Sequence, residues 1–370
     1  MHNHNKKILH ITHDLEIGGL QKIVYFLCKY IDHKSYSPSI LCLRNKGAFA
    51  PLFDDLGIDV HCIPSSYGVL KYFSFWPIYR FLQTHHFDIV HTHNTQPLLD
   101  GGLAAILAKV PTIIHTDHGR IFPDKMHYML LEHLIAYGID RYVGVSDYTT
   151  GLVKLYQKIP SRKLSTIYNG IEPIAKLTEK EKHKLKLNLD IEHSFPILGI
   201  GSRLVYEKGI TYLLDAIPML IQKFPQLKLL IAGDGPIANE LKKQAHDLNI
   251  NHYVTFLGPR LDILNIIQIF DIYVLPSVHE GLPLSLLEAM SVGIPIVATA
   301  VGGMPFVFNG SQAICAPIKP KSSESIATVI TRFANNQKVR YRCSNDAQNV
   351  FLSKFTAEIM TQSYERLYAA

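Results

Sequence analysis

Cysteine is scarce here. Cys28, Cys42, Cys62, Cys315 and Cys343 are five in 370 residues, and no two of them form a C-x-x-C pair. An odd, scattered set excludes a disulfide framework and a cysteine zinc site, and implies reduced thiols in a cytosolic compartment. Long apolar runs are also missing. No stretch reaches the roughly 18 residues that a spanning helix needs. MHNHNKK runs directly into KILHIT, without the apolar region and cleavage site of a secretory leader, so a cytoplasmic protein is expected. No G-x-G-x-x-G string is present, which disfavours a dinucleotide fold. Charge of either sign is in small excess only: the net charge is +6, and no basic run carries a nucleic-acid motif, so nucleic acid is not an expected partner. A modest positive balance suits an anionic ligand or an anionic membrane surface, and suits a plain solvated surface equally well.

What is present is alternation. A chain of 370 residues exceeds the size of one ordinary core, so two domains are expected. Short β-branched runs at 8–12, 39–43, 88–91, 112–115 and 141–145 alternate with longer helical patterns. The pattern lapses over Leu177–Leu189, rich in Lys and Glu, and resumes at 196–201, 228–232, 254–257, 272–275, 295–298 and 313–316. Consecutive apolar residues in each run mark strands covered on both faces, and the alternation marks parallel βαβ units. The reading is α/β: two doubly wound Rossmann-like domains, 1–172 and 196–352, joined by a linker at 173–195. A C-terminal helix over about 353–370 is expected to pack back on the first domain. Ligands of such sheets bind beyond the carboxyl ends of the strands, so a central crevice lined by those loops is the expected site.

Four loops carry candidate chemistry. In VLPSVHEGLPLSLLEAMSVGIPIVAT, a strand ends at Leu275, Pro283 suits the first position of a helix, and Gly293 with Pro295 ends it. Glu280 precedes this helix and Glu288 lies on its second turn; a carboxylate there can hold a diol, and the free N–H groups of the helix start attract an anion. In GIGSRLVYEKG, Arg203 and Lys208 follow a strand as two fixed cations suited to a diphosphate. Gly18 and Gly19 of EIGGLQK lie between the first strand and helix, where backbone can approach a phosphate. Histidines cluster in HTHN (91–94) and HTDHG (115–119). Imidazoles in number suggest a metal, but no acid or cysteine shares their spacing, and no metal is assigned.

Together these strings resemble the retaining GT-B glycosyltransferases of family 4, over nearly the whole chain. Glu280 and Glu288 match the E-x7-E of that family. The resemblance implies that Glu288 binds the nucleotide ribose, that Glu280 lies beside the donor sugar, and that the backbone of the loop Gly281, Leu282, Pro283 and Leu284 meets sugar and phosphate. It implies that Arg203 and Lys208 grip the donor diphosphate and that Gly18 and Gly19 touch it. His118 is implied to face the donor sugar, and Gly258 lies in the loop implied to border the base. His118–Gly119–Arg120 further resembles a subgroup associated with exopolysaccharide assembly. One departure stands out: Phe306 occupies the place, three residues after Gly303, where the family carries an acid.

The resemblance implies transfer of a hexose-type sugar from an NDP-sugar to the hydroxyl of a glycan or lipid-linked acceptor with retention. Polysaccharide, lipopolysaccharide or glycolipid assembly is the implied setting, and neither metal nor other cofactor is required. The absence of an Asp-x-Asp pair agrees with that. A sugar-nucleotide epimerase or hydrolase, or a non-catalytic sugar-nucleotide-binding protein, would use the same donor residues and stays open. The aromatic stretch KYFSFWPIYRFL (71–82), with Lys71, Arg80 and the sole Trp76, suits either a bilayer interface or a helix with one face in the core.

Overall fold

The structure is a computed structural model, and it describes residues 5–64, 74–120, 122–308 and 315–370. Two compact units divide the chain: Met1–Glu172 with Thr356–Ala370, and Pro173–Phe355.

Unit 1 carries a parallel sheet of β1 (Lys6–Thr12), β2 (Tyr36–Cys42), β3 (Val60–Cys62), β4 (Ile89–His93), β5 (Thr112–Asp117), β6 (Arg141–Gly144) and β7 (Leu164–Thr166). The strand order is β3-β2-β1-β4-β5-β6-β7. Order therefore reverses between β1 and β4, the topological switch point at which such sheets take ligands. Leu9, Ile11, Leu41, Val90 and Ile113 point to one face and meet Ile78, Leu82, Ala104, Ala136 and Val153 of the covering helices. Ile40 and Cys42 point the other way, against Val24 and Cys28 of the Gly19–Tyr30 helix.

The C-terminal helix, Ala357–Ala369, joins this second face. Its Ala357 N–H donates to the Ile171 carbonyl at 2.9 Å, and Tyr364 and Tyr368 are buried. The chain leaves unit 2 at Phe355, because 353–354 finish the preceding Gln337–Lys354 helix.

Unit 2 carries β8 (Ile197–Gly201), β9 (Lys228–Ala232), β10 (Val254–Gly258), β11 (Ile272–Leu275), β12 (Ile296–Thr299) and β13 (Cys315–Ile318), all parallel. The order is β10-β9-β8-β11-β12-β13, so the reversal falls between β8 and β11. Leu198, Ile200, Leu229, Ile231, Val274 and Val297 form the core with the helices above them. The segment read as a linker is docked on this unit rather than suspended: Ile174 N–H donates to Ser291 Oγ and Leu177 N–H to Gln268 Oε1, both at 2.8 Å. Its helix, Glu179–Asn188, starts in a Thr178–Glu181 capping box and buries none of its residues.

Of the aromatic stretch, 71–73 lie outside the described residues. The rest forms the Phe75–His85 helix with Ile78 and Leu82 in the core, so one face does pack inward, while Trp76 stays exposed.

Candidate functional site

The two strands that flank the switch point of unit 2 end in the two loops singled out by sequence. After β8, Leu204 N–H donates to the Asp234 carbonyl at 2.8 Å, Tyr206–Lys208 form one 3-10 turn, and Gly209 (φ 65°) opens the Ile210–Ile221 helix. A Cβ on Gly209 would overlap the Pro276 carbonyl oxygen, so glycine is what lets the two loops touch. After β11, the loop runs to the Leu284–Val292 helix. Pro283 is the residue before the first helical turn, one place earlier than its spacing suggested, and its extended ψ of 132° sets the entry; Gly293 closes the helix at φ 72° as expected.

Lys208 Nζ lies 2.5 Å from Glu280 Oε1, and Ser277 Oγ donates to the same oxygen at 2.9 Å. Thr299 Oγ1 fixes Ser277 in turn through its carbonyl at 2.6 Å. Glu280 is buried, and a Cβ on Gly302 (φ 60°) would overlap its carbonyl oxygen. Sequence reasoning thus named Lys208 and Glu280 separately, and the fold brings them together. It missed Ser277, whose only signal is its place three residues before Glu280.

Arg203 is exposed, and no described carboxylate pairs with it. Its guanidinium is an unpaired charge on the loop after β8, the loop that also carries Lys208. The Ser202 hydroxyl next to it is buried without a partner. Tyr273 Oη receives the Gly201 N–H at 3.0 Å and reaches the Gly201 carbonyl at 3.0 Å; burial raises its pKa well above the ordinary phenol value, so it stays protonated. Glu288 is buried on the Leu284–Val292 helix, with Leu282 and Pro283 also buried and Gly281 and Leu284 half-buried. Gly258 (φ 67°) ends β10 and receives the Gly233 N–H at 2.8 Å. The helix after Gly302–Gly303 starts at Met304 despite the missing acid.

In unit 1, Gly18 precedes the Gly19–Tyr30 helix with φ −168°, an extended value open to any residue. Its absent side chain matters for room alone, not for conformation.

The histidines form a chain. β4 runs to His93, so His91 and His93 share a face with His10 of β1, which sequence reasoning did not single out. His118 Nε2 lies 3.0 Å from His93 Nδ1, and His93 Nε2 lies 3.1 Å from His10 Nδ1. His91 meets Tyr368 Oη at 2.7 Å and Thr116 Oγ1 at 2.8 Å. His115 is buried on β5 and bonded to Thr92 Oγ1 at 2.8 Å. His10, His91 and His93 place nitrogens within 4.8 Å of one another, a spacing a metal ion can bridge. Hydrogen bonding already employs these nitrogens, except His10 Nε2, which is buried without a partner.

Burial holds the whole chain neutral. It pushes His10 and His118 down to about 3, and His91, His93 and His115 well below the usual imidazole value. An orphaned N–H is costlier than an orphaned acceptor, so His10 Nε2 is the bare nitrogen. Nδ1–H of His10 then donates to His93, and Nδ1–H of His93 to His118 Nε2. His118 is left with its proton on Nδ1, a neutral donor rather than a cation.

Beside it, Arg120 Nε pairs with Asp117 at 3.1 Å and an Nη with Asp124 at 3.3 Å, and the guanidinium also grips the fully buried Glu132. This clamp shapes the loop that presents His118. Sequence reasoning saw Arg120 only as part of a short string, because its main partner is twelve residues away.

Comparison with known proteins decides the family. The sequence profile for glycosyl transferases group 1 matches residues 180–350, and that for glycosyltransferase family 4 matches residues 17–174. The UDP-Gal:alpha-D-GlcNAc-diphosphoundecaprenol alpha-1,3-galactosyltransferase of Escherichia coli is 30% identical over 318 residues, 81% of each chain. The chain belongs to the group 1, family 4 glycosyltransferases. A putative teichuronic acid biosynthesis glycosyltransferase of Bacillus subtilis is 29% identical over 73% of this glycosyltransferase and 67% of its own length. In fold, the glycosyltransferase is similar to Anabaena HepE, solved with UDP and glucose: TM-score 0.88, 21% identity, covering 98% and 99% of the two chains. WaaG, a glycosyltransferase of lipopolysaccharide biosynthesis, gives a TM-score of 0.76 at 13% identity. The fold is GT-B, and the enzyme uses a nucleotide sugar in glycoconjugate biosynthesis.

Proposed function

We propose that this glycosyltransferase moves a hexose-type sugar from an NDP-sugar to an acceptor hydroxyl with retention of configuration and without a metal ion. The observation that carries the reading is the pairing of Lys208 with Glu280 at the carboxyl ends of β8 and β11, with the unpaired cation Arg203 on the same loop as Lys208. A departing nucleoside diphosphate needs positive charge fixed in advance. Arg203 supplies it bidentately, Lys208 as a point charge, and the N-terminus of the Leu284–Val292 helix through free N–H groups. Glu288 holds the ribose diol. Glu280, anchored by Lys208 and Ser277, orients the sugar and the cation together.

In the reaction, the bond from C1 of the sugar to the β-phosphate oxygen breaks, and its electron pair stays on the phosphate. The acceptor oxygen bonds to C1 on the same face, and its proton passes to the leaving phosphate oxygen. His118, held neutral by burial, takes no proton. The Escherichia coli relative names a diphosphoundecaprenol-linked acceptor, which supports a lipid-linked glycan as acceptor here.

The test is an incubation with UDP-, GDP- and ADP-hexoses and a polyprenyl-diphosphate-linked acceptor, with the product examined by NMR. An α-donor should give an α-linked product. A β-linked product would refute retention. Free hexose or an isomerised donor with no acceptor consumed would instead support the hydrolase or epimerase reading.

A further inference from the structure

The residue that follows β4 is strained. Asn94 has φ 66° and ψ 177°. Backbone at that φ with ψ near 180° lies in a region held almost only by glycine. His86 (φ 50°, ψ 89°) and Lys158 (φ 54°, ψ 33°) also have positive φ, but each simply closes a helical segment. Asn94 stands instead at the carboxyl end of β4, one of the two strands that flank the switch point of unit 1.

The side chain kept at this position reaches the neighbouring loop. The Asn94 N–H donates to the Thr116 carbonyl at 3.0 Å, continuing the pairing of β4 with β5. Its Oδ1 receives the His118 N–H at 3.0 Å. The next two amides, those of Gly119 and Arg120, donate to Asp117 Oδ1 at 2.9 and 3.3 Å. Side-chain oxygens therefore hold all three amides of the 118–120 loop, and that of His118 is held from the end of β4. His93, one residue before Asn94, holds the ring, with its Nδ1 at 3.0 Å from His118 Nε2. Two adjacent residues thus fix His118 twice, at its backbone and at its imidazole. Thr95, the next residue along, is bonded by the Arg120 guanidinium. Among His10, His91, His93, His115 and His118, only His118 is not fully buried, so it is the member a ligand can reach.

Stability does not account for Asn94. A glycine would adopt this backbone freely. The strain of a side chain there matches or exceeds what one neutral hydrogen bond returns. Strain of this kind persists where it sets the position of a working group.

We infer that Asn94 is a positioning residue: its strained backbone and its amide oxygen hold His118 in place against His93. For its effect on transfer, the inference rests on the proposed reading, in which His118 serves the site.

Asn94→Gly in the full chain tests it, because this change removes the side chain and relieves the strain together. The thermal midpoint should equal or exceed that of wild type. Affinity for UDP, GDP and ADP should be unchanged, since Arg203 and Lys208 lie in unit 2. With a hexose donor and a polyprenyl-diphosphate-linked acceptor, kcat should fall about tenfold to 100-fold, with the donor KM within about twofold. Asn94→Ala, which loses the acceptor but keeps the strain, should be less stable than Asn94→Gly and no more active. A second readout needs no substrate. In NMR spectra of nitrogen-labelled histidine, assigned with His118→Gln, wild-type His118 should show a proton on Nδ1 and a bare Nε2. Asn94→Gly should move both signals toward the average of the two tautomers. Unchanged His118 signals in Asn94→Gly overturn the inference. So does a loss of thermal stability in step with activity, which would make Asn94 a structural residue only. If His118→Gln is crippled while Asn94→Gly keeps wild-type kcat, the inference falls and the glycosyl-transfer reading stands. If His118→Gln itself keeps wild-type kcat, His118 has no role in that reading, and the inference falls with it.

Discussion

Lys208 and Glu280, 72 residues apart in sequence, meet at 2.5 Å. The cation assigned to the diphosphate and the acid assigned to the sugar side therefore act as one unit. Removing either disturbs the other: Lys208→Ala leaves a buried carboxylate with Ser277 as its remaining partner, and Glu280→Gln releases the ammonium. Each change should lower kcat by about 100- to 1000-fold. Their effects should not add, because residues in one network couple by roughly 0.5–3 kcal/mol. A double-mutant cycle on kcat/KM checks this, and simple additivity would show that the two act independently.

Gly302→Ala should reach the same pair through the backbone. The position sits at φ 60°, and a Cβ there would overlap the Glu280 carbonyl oxygen. Activity should fall while unit 1 keeps its fold, measured as kcat beside circular dichroism. Wild-type activity in this variant would mean that the Glu280 loop yields without consequence.

Arg120→Ala should destabilise unit 1. It strips a fully buried Glu132 of its cation, a loss of about 3–5 kcal/mol. Arg120→Lys should recover only part of this, because one ammonium cannot serve Asp117, Asp124 and Glu132 at once. Denaturant midpoints provide the measurement. A change below about 0.5 kcal/mol, within the usual scatter for surface residues, would remove the clamp from the account.

Acid should loosen unit 1 before unit 2. His10 and His118 are held down to about 3 by burial, and His91, His93 and His115 are lowered in the same direction. Their stability contribution is complete above the unfolded imidazole value of about 6.5. It is lost as pH falls from there toward 3, because the unfolded chain binds protons that the folded chain refuses; each histidine adds up to about 1.4 kcal/mol per pH unit. No buried histidine occurs among the described residues of unit 2. Hydrogen exchange at pH 7, 5.5 and 4.5 should show β1 and β4 losing protection ahead of β8 and β11. Equal loss in both units would contradict the neutral chain.

Much of this was legible in the sequence. Strand runs such as 228–232 and 272–275 coincide with β9 and β11, because strands buried on both faces leave an uninterrupted apolar signature. The edge strands β3 and β7 escaped notice: three residues each give no periodicity. Arg203, Lys208, Glu280 and Glu288 stood out because loops after strands carry their chemistry in short strings. The histidine chain did not, since His10 looks like any residue of an apolar strand until the β1–β4 pairing sets it opposite His91. Ser277 and Glu132 were equally hidden, because partnership across space leaves no mark in local spacing.

The most direct test of the central claim is calorimetric titration of the enzyme with UDP, GDP and ADP in EDTA. At least one nucleoside diphosphate should bind wild type, and Arg203→Ala should weaken that binding by tenfold or more while thermal unfolding stays unchanged, as expected of an exposed, unpaired cation. Equal binding by wild type and Arg203→Ala, or binding that vanishes in EDTA, would contradict a donor site built from fixed protein cations.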